Sequence, residues 1–300
     1  MKKKKHNKPH RVFRSARLEL KHVKKLPESP QTLSSSYELA FVDQKFLLRE
    51  ELRAVRLQLE LLKPELIQRD EKVESTVVIF GSARIPEPMV AREKLNNLRT
   101  DLQHDPNNHE LQRKVKVAEK IVQKSHYYEE ARKLASIISE RCQIETRRNF
   151  VVTTGGGPGI MEAANRGAFD VNAKSIGMNI VLPLEQGPNP YITPELTFLF
   201  HYFAVRKMHF LIRAKALVVF PGGYGTMDEL FEALTLIQTR KIKPMPILLF
   251  GREFWDRVIN FDVMVEEGTI DPDDLHIFQF VETAEDAWLA ITQFYELHKL

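Results

Sequence analysis

Residues 221–229 read Pro-Gly-Gly-Tyr-Gly-Thr-Met-Asp-Glu, placing three glycines and a threonine just ahead of two acids. The apolar run Ala216–Phe220 precedes them and a helical pattern from Leu230 to Thr239 follows. Strand, glycine turn and helix in that order leave unpaired backbone N–H groups at a helix N-terminus, where the partial positive charge favours an anion such as a phosphate. The glycines let a ligand approach the backbone closely, and Thr226 can add a hydroxyl. Asp228 and Glu229 suit the dipole of the first turn, and a capped tight turn would explain that much. A site needing only phosphate affinity has little use for two carboxylates beside it.

Further candidates are Glu162, Glu185, Arg206 and Lys207. Arg206 and Lys207 open a helical pattern, where a cation opposes the helix dipole and implies a compensating carboxylate or anion. Gly155-Gly156-Gly157-Pro158-Gly159 forms a second multi-glycine turn and Gly81-Ser82 a third short one. Residues 157–162 carry the first two glycines of GxGxxG, but Glu162 replaces the third, so a dinucleotide is disfavoured. No GxxxxGK[ST] loop, HExxH pair or GxSxG elbow occurs, which disfavours ATP hydrolysis, a zinc site and a serine nucleophile. A single phosphate, as in a mononucleotide, fits the glycine turns better. A carboxylate beside that phosphate suits cleavage at a sugar carbon, because an anion stabilises an oxocarbenium-like state and can activate water. The residues therefore point to a hydrolase or transferase acting on a sugar phosphate or mononucleotide, with no cofactor and no metal.

These residues need a scaffold that brings three turns to one rim. Short β-branched or apolar runs at 76–80, 150–154, 175–182, 196–200, 216–220, 245–250 and 277–281 alternate with helical patterns. Such alternation predicts an α/β fold with a Rossmann-like, mostly parallel sheet and helices on both faces, whose ligands bind at the carboxyl ends of the strands. Between the first two strands, residues 89–125 form a charged insertion of two helices broken at 104–108, the second continuing to Cys142. Residues 31–74 are expected as an N-terminal helical extension, helical over 37–62, and residues 1–30 as a basic tail. The Rossmann-like domain is expected over 75–300.

The formal charge of +4 is unevenly spread. Residues 1–25 hold eleven Lys/Arg against Glu19 alone, leaving 33 basic and 39 acidic residues in 26–300. A basic arm can bind nucleic acid, but more often it is simply solvated, and the acidic body makes nucleic acid a disfavoured partner. The single cysteine, Cys142, excludes an intrachain disulfide. No apolar run is long enough to span a bilayer and no secretory signal is visible, so the expected setting is cytoplasmic, without membrane association.

Gly155–Asn165 (GGGPGIMEAAN) together with PGGYGTMDE resembles the LOG ("Lonely Guy") family, also labelled "possible lysine decarboxylase". Leu182–Gln186 and Arg206–Met208 match the family pattern, and the resemblance spans roughly residues 75–300. It implies a homodimer or multiple of dimers that hydrolyses a nucleoside 5′-monophosphate, AMP-like or a cytokinin riboside monophosphate, to free base and ribose 5-phosphate. Carried over by motif, Arg206 and Glu229 are the catalytic pair. Gly222, Gly223, Tyr224, Gly225 and Thr226 hold the phosphate. Glu185, Lys207 and Asp228 fall at substrate contacts, and Gly155, Gly156, Gly157, Met161 and Met227 complete the substrate-binding set. The decarboxylase label finds no lysine in a pyridoxal-phosphate context. The alternative on the same fold is a non-catalytic nucleotide or molybdenum-cofactor carrier, which has no need of an Arg206–Glu229 pair.

Overall fold

A computed structural model describes residues 13–144, 147–183 and 187–296, and the chain divides into two compact units, residues 1–59 and 60–300. The first unit contains α1 (Ala16–Val23), a 3-10 turn at Ser35–Tyr37, α2 (Gln44–Leu47) and a second 3-10 turn at Glu50–Leu52. A long helix, α3 (Arg53–Asp70), begins in it and crosses into the second. The continuous helix expected over 37–62 is thus interrupted. Asp43 starts a fresh helix instead, its carboxylate accepting a 2.9 Å bond from the Phe46 N–H, because a short acid competes for backbone donors better than it continues a helix. Further on, α3 runs through Pro64 rather than stopping before it, with the proline ring buried.

The second unit is a doubly wound α/β body. In chain order it holds β1 (Thr76–Phe80), α4 (Pro88–His104), α5 (His109–Lys124), α6 (His126–Cys142), a two-residue ribbon of β2 (Gln143–Ile144) and β3 (Arg147–Arg148), β4 (Val151–Thr154) and α7 (Ile160–Asp170). There follow β5 (Ser175–Ile180), β6 (Thr197–Phe200), α8 (Phe203–Ile212), β7 (Ala214–Val219), α9 (Tyr224–Gln238), β8 (Ile247–Phe250), α10 (Arg252–Val258), α11 (Phe261–Glu266), β9 (Gln279–Val281) and α12 (Ala284–Phe294).

Seven strands pair in the order β6-β5-β4-β1-β7-β8-β9, every pairing parallel. Both faces are covered, which is why β1, β4, β5 and β8 are buried at every residue and why β1, β4 and β8 read as unbroken apolar or β-branched runs. From β1 the chain first winds outward through β4, β5 and β6, then returns to β7 on the other side of β1. The topological switch point therefore lies between β1 and β7, the place where such sheets open a crevice for ligands.

Two expected helices are divided. The second helix of the insertion ends at Lys124, because the Ser125 hydroxyl donates to the Val122 carbonyl at 2.8 Å and α6 starts anew at His126. Near the C-terminus, Asn260 accepts from the Val263 N–H at 3.2 Å and separates α10 from α11. The insertion itself is the expected pair of helices, α4 and α5, joined through residues 105–108. Leu95, Val115 and Ala118 bury a small core of their own between them, distinct from the main core around Val77, Ile79, Val152 and Val218.

Candidate active site

A cavity of about 780 Å³ opens at the switch point. Its floor is the turn after β1 (Gly81–Ile85) and the glycine loop between β7 and α9, tied together where Ser82 N–H donates to the Pro221 carbonyl at 3.0 Å. Gly222, Gly223, Tyr224, Gly225, Thr226, Met227 and Glu229 all line it, joined by Gly155, Met161 and Arg206. The motif that sequence singled out thus faces open space. α9 begins at Tyr224 with Gly223 as N-cap and no side chain capping it, so the first-turn N–H groups remain available to an anion. Gly222 is required by close approach, since a Cβ there would run into Thr226 Oγ1. Thr226 itself is buried at the base of the turn.

The two acids of the motif part company. Glu229 is only 6 % exposed and faces the cavity, and burial pushes its carboxyl up to about 7 against the opposing charges of Lys207 and Arg206. Asp228 turns away. It accepts a 2.9 Å ion pair from Lys207, which also reaches Glu232 at 3.2 Å, and all three line a separate shallow recess with Phe231 and Leu236. Burial lowers the Lys207 pKa, but the bond to Asp228 and the charges of Glu229 and Glu232 outweigh it and leave it raised.

Arg206 is placed by aromatic packing. Its guanidinium lies 5.2 Å from the Phe210 ring centre and 5.5 Å from that of Phe203, and its Nη2 stands 3.8 Å from where a Cβ on Gly155 would be. Any side chain at Gly155 would also press on Met161 Sδ at 3.0 Å, so glycine keeps room for both. Gly156 and Gly157 do not line the cavity; their carbonyls accept from Asn189 Nδ2 at 3.2 and 3.1 Å. Glu162 likewise lies outside it and accepts from the Tyr128 hydroxyl at 2.9 Å. Glu185 lies outside the described residues.

Several contributors went unnoticed in the sequence. Asn165 and Asn189 are buried and brace the Gly155–Gly157 turn. Asn165 accepts from Thr154 Oγ1 at 2.7 Å and from Asn189 Nδ2 at 3.0 Å, while Thr154 Oγ1 accepts the Gly156 N–H at 2.9 Å. A satisfied buried network of this kind fixes a loop rigidly. Asn165 belongs to the quoted GGGPGIMEAAN run, which was the available signal, whereas Asn189 sits in a Pro/Asn-rich loop with none. Arg84, Ile121, Lys124, Phe254 and Val258 also line the cavity. Ile121 and Lys124 come from the inserted helix α5, whose charge-rich pattern gave no hint of which residues face a ligand. Among the described residues no group of three or more His, Cys, Asp or Glu is arranged to hold a metal, and no helix is long and apolar enough to cross a membrane.

A doubly wound parallel sheet with a glycine turn at its switch point, and a buried acid facing the cavity there, defines a Rossmann-like α/β protein. Residues 161–291 match the family model described as "Possible lysine decarboxylase". The chain is 28% identical over 162 residues to the probable cytokinin riboside 5′-monophosphate phosphoribohydrolase LOG6 of Arabidopsis thaliana, covering 52% of this chain and 78% of that protein. It is 32% identical over 145 residues to cytokinin riboside 5′-monophosphate phosphoribohydrolase LOG1 of the same plant, covering 46% of this chain and 66% of that one. The chain is thus similar to the LOG family, in the direction the paired glycine motifs implied. Among solved structures it resembles the molybdenum cofactor binding protein of Rippkaea orientalis, with a TM-score of 0.40 and 17% identity over 56% of this chain and 88% of that one.

Proposed function

We propose that the protein hydrolyses the N-glycosidic bond of a nucleoside 5′-monophosphate, releasing the free base and ribose 5-phosphate. The observation that carries this reading is Glu229, a buried carboxylate facing the same cavity as the uncapped start of α9. With the 5′-phosphate on the N–H groups of the glycine turn and on the Thr226 hydroxyl, the anomeric carbon of the ribose comes within reach of Glu229. Ionised Glu229 stabilises positive charge developing on the sugar and takes a proton from the attacking water. The new C–O bond forms as the C–N bond breaks, and the base leaves with the bonding pair and collects a proton. Arg206 stays charged throughout, so it balances the negative charge and orients the nucleotide rather than acting as an acid. Lys207 and Asp228 support the site from behind through their ion pair. The names of the matched plant relatives support the reaction class, and purine or cytokinin bases are both within the proposal.

A homodimer is part of the same reading. It is supported by exposed Phe203, Met208 and Ile212 on α8 and Leu199 on the edge strand β6, an apolar set that water would otherwise meet. The deciding experiment incubates the protein with a panel of nucleoside monophosphates and measures free base and ribose 5-phosphate. Release from at least one, abolished in Glu229→Gln, is the expected result. Tight binding with no release from any of them would replace this reading with that of a carrier.

A further inference from the structure

Arg206 sits in the first turn of α8, and that turn is poorly equipped to hold itself. Tyr202 is the N-cap and its side chain makes no capping bond, while Val205, three residues on, cannot reach back as a glutamate would. Arg206 and Lys207 also set two cations near the positive end of the helix dipole. Burial favours the other half of the helix. Phe210 is fully buried, edge-on to Phe80 with ring centres 4.8 Å apart, and His209 is buried too, whereas Phe203 is 51 % exposed.

The missing cap comes from another helix. Glu60, on α3, accepts the His201 N–H at 2.6 Å on one carboxylate oxygen and the Tyr202 N–H at 3.2 Å on the other. It thus places a negative charge at the helix end where Arg206 and Lys207 call for one. Five residues further along α3, Glu65 pairs with Arg213, the C-cap of α8. α3 therefore grips α8 at both ends. The aromatic rings that flank the Arg206 guanidinium, Phe203 and Phe210, belong to α8 itself, so the guanidinium moves as that helix moves.

We propose that Glu60 is a positioning residue for the reaction: by capping α8 it fixes where Arg206 presents its guanidinium to the nucleotide. α3 contributes no lining residue to the cavity, yet through this cap it has a task there. The inference rests on the proposed role of Arg206 in orienting the substrate.

A double-mutant cycle on the full chain tests it, with Glu60→Ala, Arg206→Ala and the two combined, and Glu60→Gln alongside. Glu60→Ala should lower kcat/KM for base release by ~10- to 100-fold, the cost of a substrate-orienting group slightly out of place. In the Arg206→Ala background the same change should cost less than ~2-fold, because its effect passes through a side chain no longer there. Glu60→Gln, which keeps one acceptor oxygen, should fall between the wild type and Glu60→Ala. Hydrogen exchange in Glu60→Ala should quicken over 201–206 while β5 and β7 stay protected. Equal losses in both backgrounds, or unchanged exchange over 201–206, overturn the inference and leave the nucleosidase reading standing. If the wild type releases no base from any nucleotide, the nucleosidase reading falls, and the same cycle read in the Kd for AMP decides the inference on its own.

Discussion

Lys207 Nζ lies 2.9 Å from Asp228 Oδ1, and this pair holds one of two neighbouring acids outside the cavity that the other faces. Asp228 is held outward and half exposed by its lysine. Glu229, one position on, points into the cavity from a buried site. We therefore expect Glu229→Gln to lower kcat by ~10²- to 10⁴-fold, the range for losing a positioned acid or base. Asp228→Asn should cost less than ~10-fold, through slackening of Lys207. Steady-state base release from one nucleotide by both variants makes the comparison, and equal losses would contradict the division of roles.

The raised pKa of Glu229 links activity to stability. As a base it must be ionised, so kcat/KM should rise with pH and level off above about 7. Folding follows the opposite sense. A carboxyl whose folded pKa stands above its unfolded value favours the native state at low pH, and that benefit is lost as pH rises from about 4.5 to about 7. The ionised buried carboxylate then weighs against folding by up to ~3 kcal/mol, taking 1.36 kcal/mol per pKa unit. Glu229→Gln should accordingly raise the melting temperature at pH 8 and leave it nearly unchanged at pH 4.5. Thermal denaturation at the two pH values reads this directly.

The glycine turn gives a third expectation. A methyl group at position 222 would collide with Thr226 Oγ1 at the base of the anion site. Gly222→Ala should therefore weaken AMP binding by ~10-fold or more and also lower the melting temperature, because buried Thr226 must shift to admit the methyl group. Thr226→Val, which removes the hydroxyl but keeps the volume, should cost the ~0.5–1.5 kcal/mol of one hydrogen bond. Isothermal titration with AMP distinguishes the two effects.

The scaffold was easy to read in the sequence because a parallel sheet covered on both faces leaves little ambiguity. Val77-Val78-Ile79 and Leu217-Val218-Val219 are apolar at every position, and each is followed by glycine within a few residues. The anion turn and Glu229 were legible for the same reason, as they are contiguous. Helix ends at Asp43, Ser125 and Asn260 were not, because one side-chain bond to the backbone overrode an otherwise continuous apolar periodicity. Lys207 and Asp228 were placed with the substrate residues, but only three-dimensional placement shows them facing one another. Asn189 and Lys124 reach the site from positions far apart in the chain, through a loop and an inserted helix, and no local pattern marks them.

The insertion that supplies Lys124 should be separable from the rest of the fold. Its helices α4 and α5 meet over Leu95, Val115 and Ala118, with Leu98, Leu102 and Val122 packed alongside, and this cluster is not part of the main core. Leu95 is 7 % exposed, so Leu95→Ala removes buried volume from a core too small to repack around it, at a local cost of ~2–4 kcal/mol. Because the strands of the sheet bury their own side chains elsewhere, the loss should appear as faster amide exchange in 88–124 while β1, β4 and β7 stay protected. Loosening α5 also withdraws Ile121 and Lys124 from the cavity wall. The same variant should then bind AMP more weakly but still measurably, because the glycine turn is untouched, which hydrogen-exchange mass spectrometry and titration of one preparation can establish together.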